Sequence, residues 1–139
     1  MAKDDIKEAL GDVLGTRDLA WSRQLGAATY AVMEAVAAHS VAVGGGLVLE
    51  ANFTRERSEP WLRGLAERAD TRVVLCRTPS DRDRFAARAG TRHSIHPDDV
   101  AAGWPPADDF AIDLGVPRLE VDTTSGYAPD LDSIVRFIA

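Results

Sequence analysis

Leu47-Val48-Leu49-Glu50-Ala51-Asn52 is a short apolar run that ends on a carboxylate and an amide. Consecutive large apolar residues read as a buried strand, and the acid marks where that strand meets solvent. Before it, Asp18 to about His39 carries Trp21, Leu25, Ala28, Val32 and Val36 at helical spacing. Tyr30, Met33 and Ala37 widen this stripe, so the helix is expected to be covered on more than one side. Gly44-Gly45-Gly46 reads as the turn between helix and strand. After the run, a helix from about Ser58 holds Pro60 in its first turn and points Trp61, Leu62, Leu65 and Ala69 inward.

Two further apolar runs follow. Arg72-Val73-Val74-Leu75-Cys76 is a strand, and Thr78-Pro79-Ser80-Asp81 opens a helix carrying Arg82, Arg84 and Arg88. Thr91 to Val116 is irregular, because Trp104-Pro105-Pro106 argues against a long helix. Pro117 to Asp122 is a third strand, and Pro129 to Ile138 an amphipathic helix through Leu131, Ile134, Val135 and Ile138. At the front, Ile6, Leu10, Val13 and Leu14 recur at helical spacing behind Asp4 and Asp5, which are expected to cap the first turn, and Gly15 closes the helix. Strands separated by helices imply a parallel sheet covered on both faces, which binds ligands beyond the carboxyl ends of its strands.

A chain of 139 residues with no repeat and no linker-like tract is expected to form one domain. Its net charge of −6 argues against a broad nucleic-acid surface, while a local basic groove stays open. Fourteen of the 16 basic residues are arginine; this suits bidentate phosphate contacts but also follows from genomic composition bias. One cysteine, no signal pattern and no long apolar run point to a reducing cytoplasm and no membrane span.

Three polar clusters carry the functional reading: Lys3-Asp4-Asp5-Ile6-Lys7, the Glu50-Ala51-Asn52 string, and Arg84, Arg88 and Arg92 running into His93 and His96. Each also has a plain structural reading. Asp4 and Asp5 can cap a helix while Lys7 is solvated, Glu50 can simply mark a strand end, and the arginines can pair with Asp81, Asp83 or Asp98-Asp99. Read as chemistry, the three arginines recur every four residues and share one face as far as their helix lasts, repelling unless an anion neutralises them. His93 and His96 with Asp98 and Asp99 fall short of a closed metal site, which needs four ligands of defined spacing. His39 reads as a core or capping histidine, and Cys76 as an inert buried thiol.

In this order the clusters resemble the body of a P-loop kinase, in the branch of small-molecule and polynucleotide 5′-hydroxyl kinases grouped with AAA-family ATPases. The resemblance covers essentially the whole chain. It implies an α/β fold: a three-layer P-loop NTPase-like parallel sheet with helices on both faces. It also implies an ATP-dependent transferase acting on a hydroxyl of a small molecule or a nucleic-acid end, with ATP and magnesium as cofactors. By the resemblance Asp4 is the base on the acceptor hydroxyl, and Lys7, Asn52 and Arg55 contact the acceptor. Glu50 holds magnesium through water, Arg88 and Arg92 clamp phosphate, and Thr123 and Thr124 lie where the nucleotide base is contacted. Residues 91–116 correspond to the lid.

One part of the pattern is absent. The family opens with a strand, a G-x-x-x-x-G-K-[ST] loop and a helix, whereas the only lysines here are Lys3 and Lys7, and neither follows such a loop. The expected fold therefore lacks its first, central strand and phosphate loop, between Leu47–Glu50 and Arg72–Cys76. The domain is read as N-terminally incomplete and cut from a longer kinase. Unpaired strand edges would then favour self-association, and the chain by itself is expected to bind Mg-ATP weakly and transfer no phosphate. The rival from another class is a noncatalytic interaction domain that keeps the kinase scaffold. A Cys/His hydrolase using Cys76 ranks last.

Overall fold

The computed structural model describes residues 1–88, 90–96, 110 and 112–139. Helix α1 (Lys3–Leu14) leads into the long α2 (Leu19–Ala42); α3 (Arg55–Ala66) precedes strand β1 (Val73–Arg77), then α4 (Asp81–Ala87), strand β2 (Arg118–Asp122) and α5 (Leu131–Ile138). The alternating pattern read from the sequence is present in part: α3, β1, α4, β2 and α5 alternate, whereas the run Leu47–Glu50 between α2 and α3 forms only an isolated bridge. The sheet among the described residues is small: β1 and β2 pair in parallel, Val73 opposite Arg118 through Arg77 opposite Asp122. Expected lid residues Asp98, Asp99 and Trp104-Pro105-Pro106 lie outside the described residues. Among the described residues no helix is long and apolar enough to cross a membrane.

The run Leu47–Glu50 is extended and lies beside the first residues: Glu50 bridges Ala2 in parallel, and the Met1 amino group donates to the Val48 carbonyl at 2.7 Å. Lys3 N–H donates to the Glu50 carbonyl at 2.8 Å and Glu50 N–H to the Met1 carbonyl at 3.0 Å. This sets Asp4 directly after the paired residues. The backbone groups of Leu47 and Leu49 point the other way and find no partner among the described residues. On β1, Val73 N–H bonds Pro117 and the Arg77 carbonyl accepts from Thr123 N–H. Alternation along a parallel ladder then turns Val73, Leu75 and Arg77 toward β2, and Val74 and Cys76 toward the open edge.

The core sits between helices. Leu25, Tyr30, Met33 and Ala37 of α2, Leu62 and Leu65 of α3, Ile95, Ile112 and Val121 are buried. Ala37, Leu62, Leu65 and Ile112 form one cluster, against which Leu49, Phe53, Trp61 and Leu114 pack. Tyr30 and Phe53 meet tilted and Phe53 and Trp61 edge-on, with ring centroids 6.4 and 6.0 Å apart.

Several local expectations are corrected. The inward face of α2 is Ser22–Leu25–Gly26–Thr29–Tyr30–Met33–Ala37, and Ala28, Val32 and Val36 are exposed. Helix α3 starts at Arg55, not Ser58, because Ser58 N–H already donates to the Thr54 carbonyl, which places Pro60 inside the helix. Asp4 and Asp5 sit within the first turn of α1 and do not cap it; Ala2 is the N-cap residue, with no side-chain bond. Helix α4 ends at Ala87, with Gly90 at φ +76 turning the chain, so Arg84, Arg88 and Arg92 share no single helix face. Cys76 and His39 are exposed.

Candidate functional site

The first turn of α1, the end of the Leu47–Glu50 run, the middle of α2 and the turn at 92–96 meet in one polar cluster. Asp4 and Lys7 are one turn apart on α1, which puts both on the same face. Lys3 Nζ contacts Asp4 Oδ1 at 2.9 Å. Lys7 is buried, with 7 % of its surface exposed, and its Nζ donates to Ser22 Oγ of α2 at 2.8 Å. His96, also 7 % exposed, lies with Nε2 3.0 Å from Glu8 Oε1. Tyr30 Oη donates to the Asn52 carbonyl at 2.8 Å, and the Arg57 guanidinium lies 5.5 Å from the Tyr30 ring centre.

Charge ties these groups together. Burial pushes the Asp4 carboxyl up, but the Lys3 hydrogen bond and the charges of Lys3, His96 and Arg92 outweigh it, holding Asp4 below the ordinary carboxylate value. Burial pushes Lys7 down, and Lys3 and Arg92 push the same way against Asp4. Burial likewise lowers His96, with Lys7 and Arg92 adding to it and Asp4 and Glu8 opposing. Burial raises Tyr30; Arg57 works against this, while Asp4 and Glu50 add to it. Asp4 is thus an ionised carboxylate in a mainly cationic setting, which suits it to accept a proton or a hydrogen bond from a hydroxyl.

The residues singled out from sequence divide into groups. Asp4, Lys7, Glu50 and Asn52 come together, and Arg92 joins them through its electrostatic reach to Asp4, Lys7 and His96. Arg92 is half-buried and its guanidinium sits 4.6 Å from the Phe85 ring centre, which links α4 to the cluster. Arg55 turns elsewhere, lining a cavity of about 310 Å³ with Val73, Ile112, Leu114 and Arg118. Arg88 is exposed, and its Nε donates to the Arg84 carbonyl at 3.3 Å. Thr123 and Thr124 form a separate group beyond the carboxyl end of β2, where Arg84 donates to both of their carbonyls, at 2.9 and 2.7 Å.

Sequence reasoning passed over Ser22, Tyr30 and Glu8. Tyr30 was legible only as part of an apolar stripe, and nothing in the local pattern marks a buried serine as the partner of a lysine 15 residues away. His93 and His96 were legible as a pair, but each takes a carboxylate of α1, Asp12 and Glu8, both at 3.0 Å. No group of three or more His, Cys, Asp or Glu side chains among the described residues is placed to hold a metal. Glu50 is an exposed single carboxylate, and Asp4 is engaged by Lys3. That donor set suits only an outer-sphere contact to a magnesium ion that brings its own water and phosphate ligands.

No family model matches the chain, and no curated protein matches it. A solved structure from Chloroflexus aurantiacus J-10-fl, of a protein provisionally assigned as a kinase, superimposes with a TM-score of 0.74 at 27% identity. The match covers 99% of this chain and 80% of that one. At this coarse level the fold is kinase-like.

Proposed function

We propose that this chain forms the acceptor-binding body of a P-loop NTPase-like kinase of the AAA-family and polynucleotide-kinase branch, acting on a hydroxyl of a small molecule or a nucleic-acid end. The observation that carries this reading is the ionised Asp4 set among Lys7, His96 and Arg92, one bridge away from Glu50. A hydroxyl placed against Asp4 gains a proton acceptor and a contact from Lys7, while Arg92 supplies positive charge for an incoming phosphoryl group. Asn52 would add a contact to the acceptor. Glu50 would hold magnesium through water, and magnesium, when bound with ATP, neutralises charge on the transferring phosphates. The turn at Thr123 and Thr124, fixed by Arg84, would face the nucleotide base. A cytoplasmic location fits the single exposed thiol.

The 139 residues contain no G-x-x-x-x-G-K-[ST] segment. The main triphosphate contacts are therefore absent from this sequence, and the chain by itself transfers no phosphate. A second reading, an interaction domain that keeps the kinase scaffold, is favoured by the edge of β1 at Val74 and Cys76, which has no strand neighbour among the described residues.

Amide chemical-shift mapping separates the two. Hydroxyl compounds spanning sugars, nucleosides and oligonucleotide 5′ ends are titrated with and without Mg-ATP. The kinase reading expects shifts at Asp4, Lys7 and Asn52 with some acceptor, lost in Asp4→Asn, and little response to Mg-ATP. An acceptor series that leaves those amides unmoved sinks it, and phosphorylation of any compound by the chain alone sinks the expectation of inactivity.

A further inference from the structure

Lys7 is fixed by a hydroxyl that is itself fixed from outside the helix pair. Ser22 Oγ donates its only proton to the Ile95 carbonyl at 2.6 Å, so toward Lys7 it can act only as an acceptor, and Lys7 Nζ donates to it at 2.8 Å. Ser22 is 5 % exposed and Ile95 is 1 % exposed. Water therefore has little room to substitute for either bond.

The Ile95 carbonyl is held independently of Ser22. His93 Nδ1 accepts from the Ile95 N–H at 3.1 Å, so Nε2 is the protonated nitrogen, and it lies 3.0 Å from Asp12 Oδ1 of α1. His96 lies against Glu8 of the same helix, and Thr16 Oγ1 lies 3.1 Å from Ser94 Oγ. Gly11 provides the seat, since a Cβ there would stand 3.1 Å from both Cβ and Cγ1 of Ile95. The turn 93–96 thus docks on α1 through two side-chain contacts and the close approach at Gly11, with a third contact at Thr16 just beyond the helix, and it presents a carbonyl to α2.

Arg92 enters this turn from the other side, over Phe85 of α4. We infer that Ser22 is a positioning residue that ties the docking of the 93–96 turn to the orientation of Lys7, so that the arginine on the phosphate side and the lysine on the acceptor side are set together. The functional meaning rests on the acceptor role of Lys7 proposed above. The coupling itself does not. With the turn docked, the ammonium is aimed along Ser22 Oγ; with the turn released, Ser22 is free to rotate, and Lys7 loses its only hydrogen-bond acceptor among the described residues.

The chain has only two lysines, which makes the inference directly measurable. In protein labelled at lysine, the Cε signals of Lys3 and Lys7 are assigned with Lys3→Arg and followed against pH. The groups facing Lys7 are Lys3 and Asp4 from its own helix and Arg92 and His96 from the turn; Lys3→Arg serves assignment alone, and none of these groups is altered in Ser22→Ala, Ser22→Thr or Gly11→Ala. Ser22→Ala removes an acceptor that favours the charged form, so Lys7 is expected to titrate at lower pH than in the wild type, with faster amide exchange at Ile95. Ser22→Thr, which keeps the hydroxyl, is expected to restore the wild-type titration. Gly11→Ala, which crowds Ile95 without touching Lys7, is expected to move the Lys7 signal as well. An unchanged Lys7 titration in folded Ser22→Ala overturns the inference whether or not any acceptor binds. If the shift occurs but no acceptor is found, only the functional meaning is lost.

Discussion

The helical side of the molecule, α1 and α2 with the 93–96 turn, is closed, whereas the side built on β1, β2 and α5 is open. On the first, Met33, Thr29 and Ile95 have almost no surface left, and buried Lys7 and Ser22 each have a hydrogen-bond partner. On the second, Leu131, Val135 and Ile138 of α5 remain 58, 50 and 48 % exposed, and one edge of β1 has no strand neighbour among the described residues. The polar cluster that carries the functional reading lies on the closed side. A site that must hold a buried ammonium on a neutral hydroxyl and a buried imidazole needs surroundings rigid enough to keep water and geometry fixed, and among the described residues that side supplies them.

The largest effect should come from the closed side's core. Met33 is fully buried on α2, so Met33→Ala removes its packing and leaves a cavity, at a cost of about 2–5 kcal/mol. Ile138→Ala, on the half-exposed face of α5, should cost less than about 1 kcal/mol. Urea unfolding of both variants gives the ratio. Near-equal losses would mean that α5 is covered in solution, and the contrast between the two sides would then disappear.

An intermediate effect is expected from pH. The native pKa of His96 lies below the unfolded value of 6.5, chiefly because burial disfavours the cation. The unfolded chain therefore takes up this proton first as pH falls. Stability is full above pH 6.5 and declines as pH drops from there toward the native pKa, with a slope of at most about 1.4 kcal/mol per pH unit for one proton. Asp4, with a lowered pKa, acts in a separate window, since its contribution is lost only as pH falls below the usual carboxylate value of 3.8. Urea midpoints between pH 7 and pH 5 should fall in the wild type and flatten in His96→Gln. A wild-type midpoint that is level across that range would show His96 to be solvated, and the closed side less closed than described.

How much of this was legible in the sequence follows the same division. Asp4, Lys7, Glu50 and Asn52 were grouped by the resemblance to P-loop kinases; the local pattern by itself marked only a helix start near Asp4 and the end of an apolar run at Glu50. The order of helices and strands was legible because helix starts and strand ends announce themselves locally. Ser22 and Tyr30 were not, because their roles depend on which face of α2 turns inward, and its small residues leave the apolar period ambiguous. The stripe through Val32 and Val36 is as periodic as the one through Met33 and Ala37; only tertiary packing chooses between them. The arginine series failed for a different reason. A spacing of four makes a face only while a helix persists, and α4 is seven residues long.

The smallest expected effect gives the finest test of the open edge. Within β1, Leu75 N–H points into the ladder with β2, whereas Cys76 N–H points away from it, by the alternation that the Val73 and Arg77 bonds set. Proline removes the donor in either position. Leu75→Pro breaks a ladder bond and places the ring against β2, costing about 3 kcal/mol or more, while proline at an unpaired edge position is tolerated. Cys76→Pro should therefore lower the urea midpoint far less than Leu75→Pro. If self-association runs through this edge, Cys76→Pro should also weaken it in sedimentation velocity, because an added strand would need that N–H. Should Cys76→Pro prove as damaging as Leu75→Pro in a chain that sediments as a monomer, the Cys76 N–H must be bonded within the chain, and β1 must carry a second neighbour in solution.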